Sequence, residues 1–138
     1  MTFSYYEKIG DRIMNIDDEI PFEVPDNWSW CRGYSCFKGI ESTKPQGEFF
    51  DYIDIDSIDN RLHRIKKPKH LLVSDAPSRA NRSVKNGSVL FSLVRPYLEN
   101  IALIEEKYSH CIASTGFYVC NSNGAFLPEF MFYLMISG

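Results

Sequence analysis

Apolar residues recur at three- and four-residue intervals near the start of the chain, at Tyr6, Ile9, Ile13 and Ile16, among Glu7, Lys8, Asp11 and Arg12. That period predicts an amphipathic helix within residues 1–20. Pro21 and Pro25 end it, because proline lacks the amide donor and biases the residue before it toward extended backbone. Trp28 and Trp30, two apart, are expected on one face of a strand, anchoring a core. From Phe49 to Ile55 the polar and apolar positions alternate with a period near two, and Asp59-Asn60 supplies turn chemistry, so a strand is expected to leave into a loop.

Further along, Pro68 and Pro77 divide a polar stretch in which Ser74 or Asp75 is placed to cap a short helix near Ser78 to Val84. In such a helix Arg79 and Arg82 share one face. Asn86-Gly87 reads as a turn, and Ser88 to Val94 as a buried strand ended by Arg95-Pro96. Ile101 to Ile104 and Phe117 to Cys120 are further strands, and Pro128 opens a final helix through Ser137. No internal repeat is visible. The predicted class is α+β: a mostly antiparallel or mixed sheet with short helices and a helix at each end, residues 21–138 forming a single domain.

Charge changes this picture more than composition does. The chain has 138 residues, is 44% hydrophobic and 14% aromatic, and carries a formal net charge of −3. Disorder is therefore not expected. Lys and Arg against Asp and Glu count 5 to 13 over residues 1–60, 8 to 1 over 61–85 and 2 to 4 over 86–138. A basic segment on an acidic body makes a local positive field that can hold phosphates despite the overall charge. Cys31, Cys36, Cys111 and Cys120 have neither zinc-knuckle spacing nor the density of a disulfide scaffold, and are expected as free thiols. No apolar run is long enough to span a bilayer and no signal-peptide pattern is present, so a cytoplasmic location is expected.

The run Tyr52-Ile53-Asp54-Ile55-Asp56-Ser57-Ile58-Asp59-Asn60 is followed by Ala76-Pro77-Ser78-Arg79-Ala80, by Gly87 through Leu98 (GSVLFSLVRPYL), and by Ala113-Ser114-Thr115-Gly116-Phe117. In kind and in order, with the lead-in Val24-Pro25-Asp26-Asn27-Trp28-Ser29-Trp30, these resemble the target recognition domain of type I restriction-modification specificity subunits, over roughly residues 21–136. The resemblance implies a target-recognition-domain-like fold and a non-catalytic component that reads one half of a bipartite double-stranded DNA target. It also implies methyltransferase and restriction subunits as partners, with methylation and cleavage residing in them. Specificity subunits continue into a spacer helix and a second recognition domain, so the chain reads as truncated before the spacer.

On that reading the candidate DNA-binding residues are Asn60, Arg61, His63, Arg64, Lys66, Lys67, Lys69, Arg79, Arg82, Lys85, Arg95 and Tyr97, with His70 beside them. Lysines in a proline-broken loop suit phosphate contact, whereas Asn60, Arg61, His63, Arg64, His70 and Arg95 carry donor patterns able to read base edges. No catalytic residue, cofactor or metal site is expected: His63, His70 and His110 lack ligand spacing, and no glycine-rich cofactor turn is present. Two other readings are open. One is an interaction module that pairs with another specificity or modification subunit, or with a second copy as a homodimer, through the apolar residues Phe130 to Ile136. The other, weaker, is a metal-dependent nuclease built on Glu105-Glu106-Lys107 with Pro25-Asp26.

Overall fold

A computed structural model describes residues 4–30, 37–124 and 127–137 of the chain. It divides into two compact units, residues 1–32 and 33–138.

In the first unit the expected leading helix is replaced by an antiparallel hairpin of β1 (Tyr6–Ile9) and β2 (Arg12–Asn15). The reason is local. Gly10 adopts φ +59°, which L side chains tolerate poorly, and a two-residue link from Ile9 to Arg12 needs such a residue. Asp17 stitches the unit by accepting from the backbone N–H of Tyr5 and from Asn15 Nδ2. The Trp28 and Trp30 strand does not form either. Trp28 is 61% exposed, while Trp30 packs edge-on against Phe22 with ring centroids 5.1 Å apart.

The second unit rests on two four-stranded sheets. One runs β7 (Lys69–Leu72), β4 (Phe49–Ile53), β11 (Ile112–Ser114), β8 (Ala80–Ser83); the other runs β10 (Ile101–Leu103), β9 (Val89–Ser92), β12 (Phe117–Ser122), β3 (Phe37–Lys38). Every pairing is antiparallel except β4 with β11, which is parallel with Ile112 opposite Tyr52 and Ala113 opposite Ile53. A two-stranded hairpin of β5 (Ile58–Asp59) and β6 (Arg64–Ile65) projects between β4 and β7 in sequence. The mixed sheet and the class α+β are as the sequence predicts. Of the two terminal helices only the last forms, as α1 (Pro128–Ile136).

Strand alternation sends successive side chains to opposite faces and so builds three apolar layers. Ile53, Leu90, Ala102, Ala113, Phe117 and Val119, drawn from both sheets, share the central cluster with Ile58 and Ile65 of the hairpin. Their neighbours face outward: Phe50, Tyr52, Ala80 and Ile112 form a second cluster, and Val89, Ile101 and Cys120 form a third under Met131 of α1. Although apolar almost all round, α1 buries only one side; Phe130, Tyr133 and Leu134 stay exposed.

The predicted helix over 78–84 is also corrected. Ala80–Ser83 is strand β8, because Pro77 directs a turn in which Ala80 N–H donates to Pro77 O, and the chain then pairs with β11. Asn86-Gly87 does turn, with Gly87 at φ +87°. A Cβ there would lie 2.9 Å from Pro128 Cγ. Gly87→Ala is therefore expected to lower stability by about 1–3 kcal/mol, combining a strained φ with a clash at the start of α1. Urea unfolding with an unchanged midpoint would contradict this packing.

Candidate nucleic-acid interface

The motifs quoted from the sequence are far apart in the chain and are stitched together by main-chain hydrogen bonds. Thr115 N–H donates to Arg79 O at 2.8 Å, and Leu93 N–H donates to Gly116 O at 2.8 Å. Asn60 Nδ2 then donates to Leu98 O at 3.0 Å. Segments 76–80, 113–117, 93–98 and 58–60 thus form one continuous set of loops. Gly116 lies at the centre of this set: a Cβ there would make ordinary contact with Ile55 Cδ1 at 3.4 Å and Arg79 Nη2 at 3.5 Å.

Two tight turns present the charged side chains. In the β5–β6 turn the Asp59 carboxylate accepts from the N–H groups of Arg61 (3.0 Å) and Leu62 (3.1 Å), an Asx turn that spends the acid on the backbone. After β9, Arg95 and Glu99 flank a single 3-10 turn, Pro96–Leu98, and both adopt left-handed backbone. His63, Arg95 and Glu99 are the non-glycine residues with positive φ among the described residues, and all three belong to these two turns. Strain of this kind persists where surrounding contacts over-determine the loop, and it concentrates at functional surfaces.

The twelve candidates separate under this geometry. Arg61, Arg64, Lys66, Lys67, Arg79 and Arg95 are exposed, and among the described residues no carboxylate lies in ion-pair contact with them. Tyr97 is 74% exposed, and Leu93 and Leu98 of its own turn and Leu62 of the other are exposed too. Asn60 is exposed but already bridges the two turns. The others are engaged elsewhere. Lys69 Nζ pairs with Asp54 at 3.3 Å and Asp56 at 3.1 Å, and Lys85 Nζ pairs with Glu41 at 2.9 Å. Arg82 lies half-buried in β8, and His63 packs edge-on to Phe132 with centroids 6.4 Å apart. Because the 78–84 helix is absent, Arg79 and Arg82 share no helical face.

His70 is not in this set. Its Nδ1 bonds Asp51 Oδ1 at 2.8 Å, and His110 Nε2 bonds Asp51 Oδ2 at 2.6 Å, beside the buried thiol of Cys111. The bonds from His70 and then His110 hold the Asp51 carboxyl below the ordinary carboxylate value, and burial pushes the Cys111 thiol up to about 12. Sequence spacing gave no signal for this cluster, since its members are 19 and 59 residues apart along the chain. Cys111 and Cys120 are buried free thiols as expected, while Cys31 and Cys36 lie outside the described residues. Glu105 and Lys107, offered as nuclease residues, pair with each other at 3.7 Å on an exposed turn.

Asp59 gives a pH test of the basic turn. The N–H groups of Leu62 and Arg61, followed by the charges of Arg64 and Lys66, lower its pKa below 3.8. Its contribution to the turn is thus complete above 3.8 and is lost as pH falls through the lowered value. Carboxyl-carbon NMR should give an Asp59 midpoint below 3.8. A midpoint at or above it would mean the Asx turn is not formed.

No family model matches the chain. Over 66 residues it is 35% identical to the type I restriction enzyme HindI specificity subunit of Haemophilus influenzae, a stretch covering 47% of this chain and 14% of that protein. Its fold matches the HsdS subunit from Thermoanaerobacter tengcongensis with a TM-score of 0.76 and 39% identity, covering 83% of this chain and 30% of that one. A second solved structure, concerned with complex assembly and conformational transition of the type I R-M system, matches with the same values. The chain thus spans less than a third of the length of the relatives it matches. In sequence and in fold, this chain is homologous to part of the type I restriction specificity subunits and has a target-recognition-domain-like architecture.

Proposed function

We propose that this chain is a non-catalytic DNA reader that recognises one half of a bipartite duplex target within a type I restriction-modification complex. Methylation and cleavage are then the work of partner subunits. The observation that carries this reading is the Asn60–Leu98 bridge, which joins the basic β5–β6 turn to the strained Arg95–Tyr97 turn. Across residues 58–67 and 93–99 five cations, Arg61, Arg64, Lys66, Lys67 and Arg95, face two acids, and one of these, Asp59, is committed to the backbone. The likeness to specificity subunits supports the same role.

The division of labour follows from side-chain chemistry. Lys66 and Lys67 are point charges suited to phosphate, which fixes position without reading sequence. Arg95 leaves a backbone position held by Pro96 and by the Leu98 N–H bond to Arg95 O at 3.0 Å, so its guanidinium starts from a fixed base and can engage guanine bidentately. Arg61 and Arg64 serve either purpose, and Tyr97 offers an aromatic face to a sugar or base edge. Lys69 and Lys85 are held by acids and contribute little.

The test is fluorescence anisotropy on a randomised duplex pool at two salt concentrations, with sequencing of the retained fraction. A short contiguous motif should be enriched, and affinity should fall steeply with salt. Arg95→Ala should cost about 1–3 kcal/mol on the selected sequence and relax one base position, whereas Lys67→Ala should weaken all sequences alike and lower the salt slope by about 1. Binding without enrichment would overturn the reading role.

A further inference from the structure

Away from the loops just described, the residues Asp51, His110 and Cys111 come together through the sheet itself. Asp51 lies on β4 opposite His70 on β7, and Cys111 immediately precedes β11, the parallel neighbour of β4. Strand alternation places Asp51 on the same face as Ile53, and Cys111 on the same face as Ala113. Both therefore stand at the rim of the central apolar cluster, to which Cys111 itself belongs. The donor atoms of Asp51, His110 and Cys111 all lie within 4.8 Å of one another. They open into a cleft of about 470 Å³ whose walls include Thr43, Gln46 and Ser109.

We propose that Asp51 Oδ2, His110 Nε2 and Cys111 Sγ form a binding site for a divalent transition-metal ion of zinc type. A carboxylate oxygen, an imidazole nitrogen and a sulfur are donors that zinc accepts together, whereas magnesium and calcium prefer oxygen alone. Tetrahedral bonds of about 2.0–2.3 Å put neighbouring donor atoms roughly 3.3–3.8 Å apart. Cys111 Sγ already lies 3.8 Å from His110 Nε2, and the 2.6 Å His110–Asp51 contact has to open by less than about 1 Å. On binding, the ion replaces the Cys111 thiol proton, which passes to solvent as the metal–sulfur bond forms, while the His110 proton shared with Asp51 is carried on Nδ1 instead, so that a neutral imidazole ligates through Nε2.

His70 completes the arrangement without ligating. Its Nδ1 holds the second oxygen of Asp51 at 2.8 Å, the kind of outer hydrogen bond that orients a ligating carboxylate. Phe49 stacks on the His70 ring at 5.0 Å with an interplanar angle of 11°, which fixes that donor in place. Three protein ligands leave the fourth position facing the cleft, where water can complete the shell. None of the three ligands belongs to the turns that carry Arg61, Arg64 and Arg95, so metal binding is tested separately from DNA reading.

The experiment is titration of the chelator-treated full chain with Co²⁺, followed by Zn²⁺ competition. One Co²⁺ per chain should bind with sulfur-to-cobalt charge-transfer absorption, and Zn²⁺ should displace it. Cys111→Ser should abolish that absorption, the double variant Cys31→Ser/Cys36→Ser should keep it, and the near-isosteric Asp51→Asn should weaken binding at least about tenfold. Absence of the absorption in the wild type, its survival in Cys111→Ser, or unchanged affinity in Asp51→Asn would each overturn the site.

Discussion

The parallel pairing of β4 with β11 is the constraint on which the larger unit depends. These strands are some 60 residues apart in the chain, so bringing them together must precede the contacts that reward it. Once Tyr52 meets Ile112 and Ile53 meets Ala113, alternation fixes which residues enter the central cluster and which build the outer layer with Phe50 and Ala80. A slip of β4 by one residue would turn Ile53 outward and carry Tyr52 onto the core face opposite Ala113. The same register decides what stands at the two ends of the pair. Beyond Ile53 the chain enters the Asp54-capped turn and the β5–β6 hairpin, and before Ile112 come His110 and Cys111 beside Asp51.

The strands thus carry the loops that hold the candidate residues, a division seen where a scaffold positions a binding surface. The stitching of Arg79, Gly116, Leu93, Leu98 and Asn60 by hydrogen bonds brings together motifs that are far apart in the chain. Each supplies one edge of a common loop set. Gly116 packs against Ile55 and Arg79, and the fully buried Ser114 accepts the Gly116 N–H at its hydroxyl at 3.1 Å. Charge is distributed on the same logic. Acids that neutralise Lys69 and Lys85 sit beside the strands, while the turn-borne cations are left open to solvent.

Much of this was legible in the chain, for identifiable reasons. Strand β9, the Asn86-Gly87 turn, β12 and the Pro128-led helix carry strong local signals, and the structure has all four. Two helix predictions failed where turn chemistry overrode periodicity. Gly10 makes a hairpin of a segment whose isoleucines happen to fall three and four apart, and Pro77 turns the chain into β8 despite a plausible cap. The basic segment overstated the number of open cations, because net charge along a sequence does not reveal which lysines meet acids across strands. The Asp51 cluster was invisible for the same reason: register, not spacing, assembles it.

The central claim is that DNA meets the two bridged turns. Backbone amide NMR of the full chain, with and without a bound duplex, tests it directly. Shift changes concentrated at residues 58–67, 79 and 93–99, with the Asp51 cleft unmoved, are the expected result. Changes centred on residues 70 and 110, or on the exposed side of α1, with the two turns silent, would contradict it.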